Sequence, residues 1–393
     1  MSYADKGRRI AWPFLNQFLQ TTFMNTMKHT IGRGFLVAIL IGVGMAAWHG
    51  RAWAFEAGSQ YIVVDALDSE YWNEYVQGAQ GVLASVGKKG HLIASNYSGA
   101  QLVAQFQAIF SAGCSHCAIA GDASSGAFVK PWVERAERAG ASVVTVWSRA
   151  NEIHPWNTAP KAWVAHTSFD GVRSGYEQTK ALCQAMKGHG GIAALKGVPD
   201  AAPAPQRIKG MKDALANEAT CKNVKLLAVE IGNWDQTKSQ SIVRTWIARF
   251  GSQLNGIMGS NDAMARGAIA ALKEKGLNGK VFVTGGDGAS DALNEIKSGD
   301  LLMTIWNDPI LQGAVSMSIA YGASIGDIDP AKLTQKQRDF YMSEDIINAS
   351  NVDAFLARTK NHATYTYQQL KGHWFDYAES QIPANANNTD QDK

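Results

Sequence analysis

The sequence is low in charge and in cysteine. Charged residues make up 18% of the 393-residue chain, hydrophobic residues make up 46%, and four cysteines are present. This composition is typical of a soluble globular protein, and the length is that of two domains of ordinary size. The uncharged apolar run at residues 35–48 has 14 residues, fewer than the roughly 20 that a membrane-spanning helix needs.

Motifs of nucleotide-dependent and metal-dependent enzymes are missing from the expected places. The first strand-like run is followed by Leu67-Asp68-Ser69, where a nucleotide-binding fold would carry a Gly-x-Gly-x-x-Gly turn. The Gly286-x-Gly288 pair comes late and has no third glycine at the right spacing. The histidines are scattered, without the paired spacing of a metal site. The sequence therefore predicts neither a cofactor nor catalysis.

The N-terminal residues have the pattern of a secretory signal. Lys28 and Arg33 precede the apolar run at residues 35–48, and a small-x-small segment follows it at residues 52–54. Because a basic flank, a short apolar core and a small-x-small exit are the parts of such a signal, we expect residues 1–54 to be a cleaved signal peptide. The periplasm is then the expected location.

Two alternatives to this interpretation stay open. The segment could be an uncleaved N-terminal anchor, or translation could start later, at Met24 or Met27. Residues 1–54 contain six basic residues and one acidic residue, so residues 55–393 carry 31 basic and 33 acidic residues, a net charge of −2. The net charge of the exported part therefore does not favour binding to nucleic acid.

All four cysteines fall in the exported part of the chain. An even number of cysteines in an oxidising compartment permits two disulfides. We predict structural bridges Cys114–Cys117 and Cys183–Cys221. The alternative is that Cys114-x-x-Cys117 is a redox motif, but such pairs stand at helix N-termini, and this one precedes a strand-like run.

Short apolar runs alternate with longer amphipathic segments over most of the chain. The strand-like runs span residues 61–66, 91–94, 117–120, 142–147 and 162–166, then 191–195, 225–229, 256–258, 280–284 and 302–306. Helical spacing of apolar residues lies between them. Such alternation predicts parallel sheets covered by helices on both faces. Because it occurs twice, with a break near residues 167–171, we predict an α/β fold of two doubly wound, Rossmann-like lobes.

Polar and aromatic side chains recur just after these runs, where doubly wound sheets bind ligands. Aromatic faces bury the C–H surface of a sugar ring, and charged groups bond strongly to its hydroxyls. The candidate ligand-binding residues are Asp68, Ser69, Tyr71, Trp72, Trp147, Ser148, Arg149, Arg207, Trp234, Asn261, Asp287 and Asn307. Taken singly, Tyr71 and Trp72 could be core residues and Asp287 an ordinary turn residue.

Several of these segments resemble the type I periplasmic sugar-binding proteins, which are ribose-binding-like. The segments are residues 71–73 (YWN), 260–268 (SNDAMARGA), 285–288 (GGDG) and 304–309 (TIWNDP), and the resemblance covers about residues 61–352. Carried over by position, the family's ligand contacts fall on Ser69, Tyr71, Trp72, Ser148, Arg149, Trp234, Asn261, Asp287 and Asn307.

The sequence departs from the ribose binders in two places. Where those proteins carry two arginines, this chain has Pro205-Gln206-Arg207 and so keeps one. The Trp147-Ser148-Arg149 segment replaces their Asp-Arg pair. Ribose itself is therefore doubtful as the ligand.

The resemblance implies three crossovers between the lobes, expected near residues 168–171, 307–308 and 343–345. The N-terminal lobe is then expected to contain residues 55–168 and 308–344, and the C-terminal lobe residues 169–307 and 345–360. We expect residues 361–393 to form a C-terminal helix and a disordered tail.

The resemblance implies a monomeric receptor that closes on a sugar or polyol for an ABC permease of the inner membrane. Alternatives are an organic cation as ligand, a sensory receptor that signals to a membrane kinase, and a nucleotide-dependent sugar-modifying enzyme.

Overall fold

The computed structural model describes residues 57–384 and 386, and of Lys360 only the backbone. The predicted signal peptide, its two alternatives and residues 387–393 of the predicted disordered tail lie outside this part. Within residues 57–384 and 386, no helix is both long enough and apolar enough to cross a membrane.

The described residues alternate strands and helices. The strands are β1 (Gln60–Val64), β2 (Gly90–Ala94), β3 (Ala118–Asp122), β4 (Ser142–Val146), β5 (Trp163–Ser168), β6 (His189–Lys196), β7 (Asn223–Ile231), β8 (Leu254–Gly259), β9 (Phe282–Asp287), β10 (Met303–Trp306), β11 (Asp339–Met342), β12 (Asp345–Asn348) and β13 (Ala378–Gln381). The helices are α1 (Glu70–Ser85), α2 (Gly99–Ser111), α3 (Gly126–Ala139), α4 (Gly171–Ala185), α5 (Pro203–Asn217), α6 (Gln236–Phe250), α7 (Asp262–Lys273), α8 (Ser290–Ser298), α9 (Pro309–Ser324), α10 (Gln335–Arg338), α11 (Val352–Lys360) and α12 (Tyr367–Leu370).

The strands form two sheets, as the sequence predicted. In the described part of the chain, the first sheet has the order β2-β1-β3-β4-β5-β11-β13, and every neighbouring pair is parallel except β11 with β13. The second sheet has the order β7-β6-β8-β9-β10-β12, parallel except for β10 with β12. We call the regions around these sheets lobe 1 and lobe 2.

Both lobes bury the two faces of their sheets. In β1, Ile62 and Val64 join one apolar cluster, while Tyr61 and Val63 join the cluster on the opposite face. The strand is buried throughout, because helices cover a parallel sheet on both sides. Lobe 2 repeats this arrangement with its own two clusters. The doubly wound prediction is thereby confirmed.

The described chain passes between the sheets four times. It crosses after β5, after β10, between β11 and β12, and again after α11. The sequence predicted the first three crossings and missed the fourth. Residues 361–384 do not form only a helix and a tail: α12 packs on lobe 1 and β13 extends the lobe 1 sheet antiparallel to β11. A four-residue edge strand of mostly polar residues carries little apolar pattern, which is why the prediction was wrong there.

Disulfides join the cysteines of each predicted pair, Cys114 to Cys117 and Cys183 to Cys221. The first pair lies in the loop before β3, and both of its cysteines are buried. The second pair ties α4 to the short turn that follows α5. The position of the Cys114–Cys117 pair before a strand does not offer the helix N-terminus that lowers a thiol pKa.

Candidate ligand-binding cleft

A chamber of about 450 Å³ lies between the carboxyl ends of the two sheets. It adjoins a wider mouth of about 1190 Å³. Side chains of both lobes line the chamber because each sheet directs the ends of its parallel strands toward the other. The lining residues are Asp65, Ser69, Tyr71, Trp72, Tyr97, Asp122, Trp147, Ala201, Pro203, Arg207, Trp234, Asn261 and Asp287.

Aromatic rings form much of the lobe 1 wall. Tyr71 and Trp72 open α1, whose N-cap Ser69 accepts a hydrogen bond from the backbone N–H of Trp72. The Tyr71 and Trp72 rings meet edge to face with centroids 5.3 Å apart. The indole N–H of Trp147 donates to the Tyr71 hydroxyl at 3.1 Å, and that hydroxyl donates to Gln312 at 2.5 Å. These bonds fix the rings in one orientation before any ligand arrives.

Four chamber residues have a backbone conformation that side chains disfavour. Tyr97, Trp147, Trp234 and Asp287 have φ values of 57°, 56°, 62° and 122°. Non-glycine residues in such conformations cost on the order of 1–3 kcal/mol each and concentrate at functional sites. Gly197 makes room for one of them, because a Cβ at this position would lie 2.0 Å from the Trp234 ring.

Arg207 lies at the centre of the chamber between the two lobes. Its guanidinium carbon is 5.6 Å from the ring centroid of Trp147 in lobe 1 and 5.8 Å from that of Trp234 in lobe 2. One terminal nitrogen donates to the Ser260 carbonyl at 2.5 Å and is 4.0 Å from the Asp287 carboxylate. Its Nε is buried and makes no hydrogen bond to any described residue. The guanidinium thus keeps one donor available.

Two carboxyl groups lie together on the lobe 1 side of the chamber. Asp65 accepts from the hydroxyls of Ser95 at 2.7 Å and Ser124 at 2.5 Å, and Asp122 accepts from the backbone N–H of Ala123 at 2.8 Å. The Asp65 and Asp122 side chains also hydrogen-bond to each other. Burial, followed by the neighbouring Asp65, raises the pKa of Asp122 well above its usual range. Two buried carboxyls this close together favour a proton shared between them, because their negative charges repel.

The lobe 2 carboxyl at the chamber is Asp287. Burial raises its pKa to about 8, an effect that Arg207 opposes and Asp262 reinforces. Asp262 itself does not line the chamber; it accepts from the backbone N–H groups of Gly288 and Ala289, both at 2.8 Å. Asp262 thereby fixes the loop that carries Asp287.

A polar chain leads from the chamber into the crossings between the lobes. With its amide oriented to satisfy both neighbours, Asn307 accepts from Arg207 at 3.0 Å and donates to Glu344 at 2.8 Å. Glu344 also accepts from the Ser174 hydroxyl at 2.6 Å, and burial raises its pKa to about 8. Since Asn307 follows β10 and Glu344 lies between β11 and β12, this chain links Arg207 to two of the crossings.

Direct contacts also join the lobes at the cleft. Glu70 of α1 accepts from the backbone N–H of Ser290 at the start of α8, at 2.9 Å. The backbone N–H of Ala202 donates to the Ser148 hydroxyl at 3.4 Å. These contacts, together with the position of Arg207 against Trp147, describe a closed cleft.

A family model described as a periplasmic binding protein domain matches residues 60–327. The chain belongs to the periplasmic binding protein family. The match covers the first ten strands and all of the residues that line the chamber. Proteins of this family are substrate-binding proteins.

Relatives of this periplasmic binding protein include several named for their ligands. It is 29% identical over 199 residues to a putative rhizopine-binding protein of Rhizobium meliloti and 32% identical over 151 residues to a xylitol-binding protein of Mycolicibacterium smegmatis. These alignments cover 50% and 38% of this chain, and 60% and 42% of the relatives. The chain thus spans about half the length of these two relatives.

One solved structure resembles this periplasmic binding protein along most of its length. A protein described as a twin-arginine translocation pathway signal protein from Burkholderia phytofirmans has a TM-score of 0.76 and 29% identity, covering 83% of this chain and 99% of that one. A solute-binding protein from Bacillus halodurans with bound myo-inositol has a TM-score of 0.64 and 21% identity, covering 77% and 98%. The second likeness concerns the fold alone.

The structure brings eight of the twelve predicted site residues to the chamber and places four elsewhere. Asp68 lines the wider mouth. Ser148 is buried beneath the chamber, where its backbone N–H donates to Asp122 at 3.3 Å. Asn307 is also fully buried, behind Arg207. The eight residues that line the chamber are Ser69, Tyr71, Trp72, Trp147, Arg207, Trp234, Asn261 and Asp287.

Arg149 is the prediction that the structure corrects most clearly. Its side chain is buried away from the chamber, with Nε 3.2 Å and Nη2 2.9 Å from the Asp339 carboxylate. It also donates to the Pro383 carbonyl, at 3.4 Å. Arg149 therefore holds β11 and the C-terminal segment on lobe 1. The sequence could not distinguish this role, because its partner lies 190 residues away.

Five chamber residues were missed by the sequence reasoning. Asp122 ends β3, so the rule used for the other strand ends could have found it. Asp65 follows β1 directly, whereas the sequence reasoning placed it inside the strand-like run at residues 61–66. Tyr97 lies in a loop with φ of 57° and carried no pattern. The remaining two, Ala201 and Pro203, have side chains without distinctive chemistry.

Proposed function

We propose that this periplasmic binding protein captures a small sugar or polyol between its lobes and delivers it to an ABC importer. The observation that carries the proposal is the arrangement of Trp147 from lobe 1 and Trp234 from lobe 2 on either side of Arg207. A ligand in the chamber contacts both lobes only when they are closed, so binding stabilises the closed form. The permease then recognises that form.

The chemistry of the chamber suits a hydroxylated ring. Ring faces cover its C–H surface, and carboxyl, amide and guanidinium groups pair with its hydroxyls. Relatives named for xylitol and D-allose support the same class of ligand.

We also propose that the protein works in the periplasm, as a monomer, after export by a cleaved signal peptide at residues 1–54. Two disulfides within the described residues suit an oxidising compartment. Binding without catalysis is part of this proposal. A Gly-x-Ser-x-Gly stretch at residues 322–326 has the spacing of a hydrolase nucleophile, but Ser324 ends α9 and donates to the Tyr321 carbonyl at 2.8 Å. It lacks the strand-to-helix turn of such a nucleophile.

The test is a thermal-shift screen of sugars and polyols on the purified protein. A ligand at one hundred times its Kd stabilises the native state by about 2.7 kcal/mol, which corresponds to a rise in Tm of several degrees. Trp234→Ala should abolish the shift. The matched control is Trp306→Ala, because Trp306 does not line the chamber: its ring meets Phe355 edge to face and lies against the guanidinium of Arg358. A full shift in Trp234→Ala, or no shift with any sugar or polyol, would contradict the proposal.

A further inference from the structure

The chamber contains more acid than base. Asp65, Asp122 and Asp287 line it, and among its described lining residues Arg207 alone carries a basic side chain. The guanidinium of Arg207 faces Asp287, Ser260 and Asn307. The two carboxyls of lobe 1 are therefore not balanced by any cation that lines the chamber.

The Asp65–Asp122 pair is surrounded by groups that favour its charged form. Two serine hydroxyls donate to Asp65, and two backbone N–H groups donate to Asp122. Such donors stabilise a carboxylate. Burial and the mutual repulsion of the two groups oppose this and raise the pKa of both carboxyls, which favours a proton shared between them in the absence of a ligand. A cation that arrived at this position would remove the need for that proton.

Aromatic rings lie beside the same carboxyls. Tyr97 and Trp72 line the chamber and are hydrogen-bonded to each other, and Tyr97 is close enough to Asp65 for this carboxyl to raise its pKa. Ring faces attract organic cations at about 6 Å or less, most strongly where water is excluded. The lobe 1 wall thus combines carboxyls with ring faces, which is a combination suited to an ammonium group.

We propose that the ligand is an amine-bearing polyol or amino sugar, whose protonated amine binds against Asp65 and Asp122 while its hydroxyls face Arg207 and Asp287. The free Nε donor of Arg207 is available for one of those hydroxyls. This inference rests on the proposed function, since it specifies the chemistry of the ligand in the same cleft.

The inference predicts proton release on binding. When the ammonium enters, the proton held between Asp65 and Asp122 passes to the buffer, and both groups become carboxylates. The other titratable or charged groups that face the pair are Tyr71, Tyr75 and Tyr97 of lobe 1 and Arg207 and Asp287 of lobe 2. The tyrosines stay neutral because burial raises the pKa of each.

Isothermal titration calorimetry with matched ligand pairs tests the inference. Each pair is an amine and its hydroxyl parent: glucosamine with glucose, galactosamine with galactose, and an aminocyclitol with myo-inositol. Titrations in phosphate and in Tris, at pH 7, give the number of protons released. We expect the amine of at least one pair to bind tenfold or more tightly than its parent, with release of up to one proton. Equal or tighter binding of every parent would overturn the inference alone, whereas failure of every ligand would also overturn the proposed function.

Substitutions locate the effect within the chamber. Asp122→Asn keeps the shape and the donor to Asp65 but cannot supply a second negative charge, so it should lose tenfold or more in amine affinity and abolish proton release. The loss should be smaller for the hydroxyl parent, which carries no positive charge, so the preference for the amine should disappear. Asp353→Asn is the control, because Asp353 is an exposed carboxylate of α11 that pairs with Lys297. Should Asp122→Asn fail to fold, Asp65→Asn takes its place. Retention of the amine preference in the folded variant would refute the assignment.

Discussion

One exposed carboxylate should stabilise the closed form of the cleft. Glu70 of lobe 1 accepts from the backbone N–H of Ser290, in the first turn of α8 of lobe 2, at 2.9 Å. A carboxylate at the exposed N-terminus of a helix contributes about 0.3–1 kcal/mol through the helix dipole. The contact exists only when the lobes are closed, so its loss lowers the population of the form that holds the ligand.

We therefore expect Glu70→Gln to weaken ligand binding about two- to fivefold, the factor that corresponds to 0.3–1 kcal/mol. Glu70→Ala should weaken it further, because it also removes the hydrogen-bond acceptor. The assay is isothermal titration calorimetry with the tightest ligand of the screen, at about 0.02 M and 0.5 M salt. Screening weakens exposed charge interactions, so the difference between wild type and Glu70→Gln should shrink at high salt.

The matched control is Glu274→Gln. Glu274 is also an exposed glutamate, but it pairs with Arg244 inside lobe 2 and makes no contact across the cleft. An unchanged Kd for Glu70→Gln at low salt, or an equal loss for Glu274→Gln, would show that the Glu70 contact does not set the closed population.

Three further predictions concern stability. Burial raises the pKa of Asp287 to about 8, so between about pH 4 and 8 the folded ligand-free protein binds a proton that the unfolded chain does not. The free energy of unfolding, measured by urea titration, should therefore fall as pH rises through this range. The fall should be smaller in Asp287→Asn. The Cys183–Cys221 bridge spans 38 positions. Replacing both cysteines by alanine should lower the free energy of unfolding by about 2–4 kcal/mol. An unchanged free energy of unfolding would mean that the bridge does not form. Arg149→Met leaves the buried Asp339 carboxylate without its main partner and should lower the free energy of unfolding by about 3–5 kcal/mol. Calorimetry on the folded variant should show unchanged ligand affinity. A large loss of affinity would mean that Arg149 does contribute to ligand binding.

Most of the fold could be predicted from the sequence because the strands and helices of a parallel sheet have a strong apolar pattern. Strands buried on both faces, such as β1 and β4, are runs of mostly apolar residues, and helices between them repeat apolar residues at helical spacing. The edge strand β13 is short and mostly exposed, so its sequence is not constrained to be apolar. Its place beside β11 follows from pairing across the sheet and not from any local pattern.

The same distinction holds for the site. A rule about strand ends was enough to point to Tyr71, Trp147 and Asp287, since every parallel strand delivers its end to one edge of the sheet. That rule could not say which of two neighbouring side chains turns inward. It left Asp65 inside the strand-like run at residues 61–66, and it assigned Arg149 to the ligand, although this side chain turns toward Asp339.

The sequence by itself determined the two lobes, the positions of the first ten strands along the chain and the edge at which polar and aromatic residues gather. Only the tertiary structure decided that Asp65 and Asp122 meet, that Arg207 lies between Trp147 and Trp234, and that Glu70 reaches Ser290. Periodicity reports burial along one chain segment, whereas each of these contacts joins segments distant in sequence. Their geometry is set by how the strands and lobes pack, which no local pattern records.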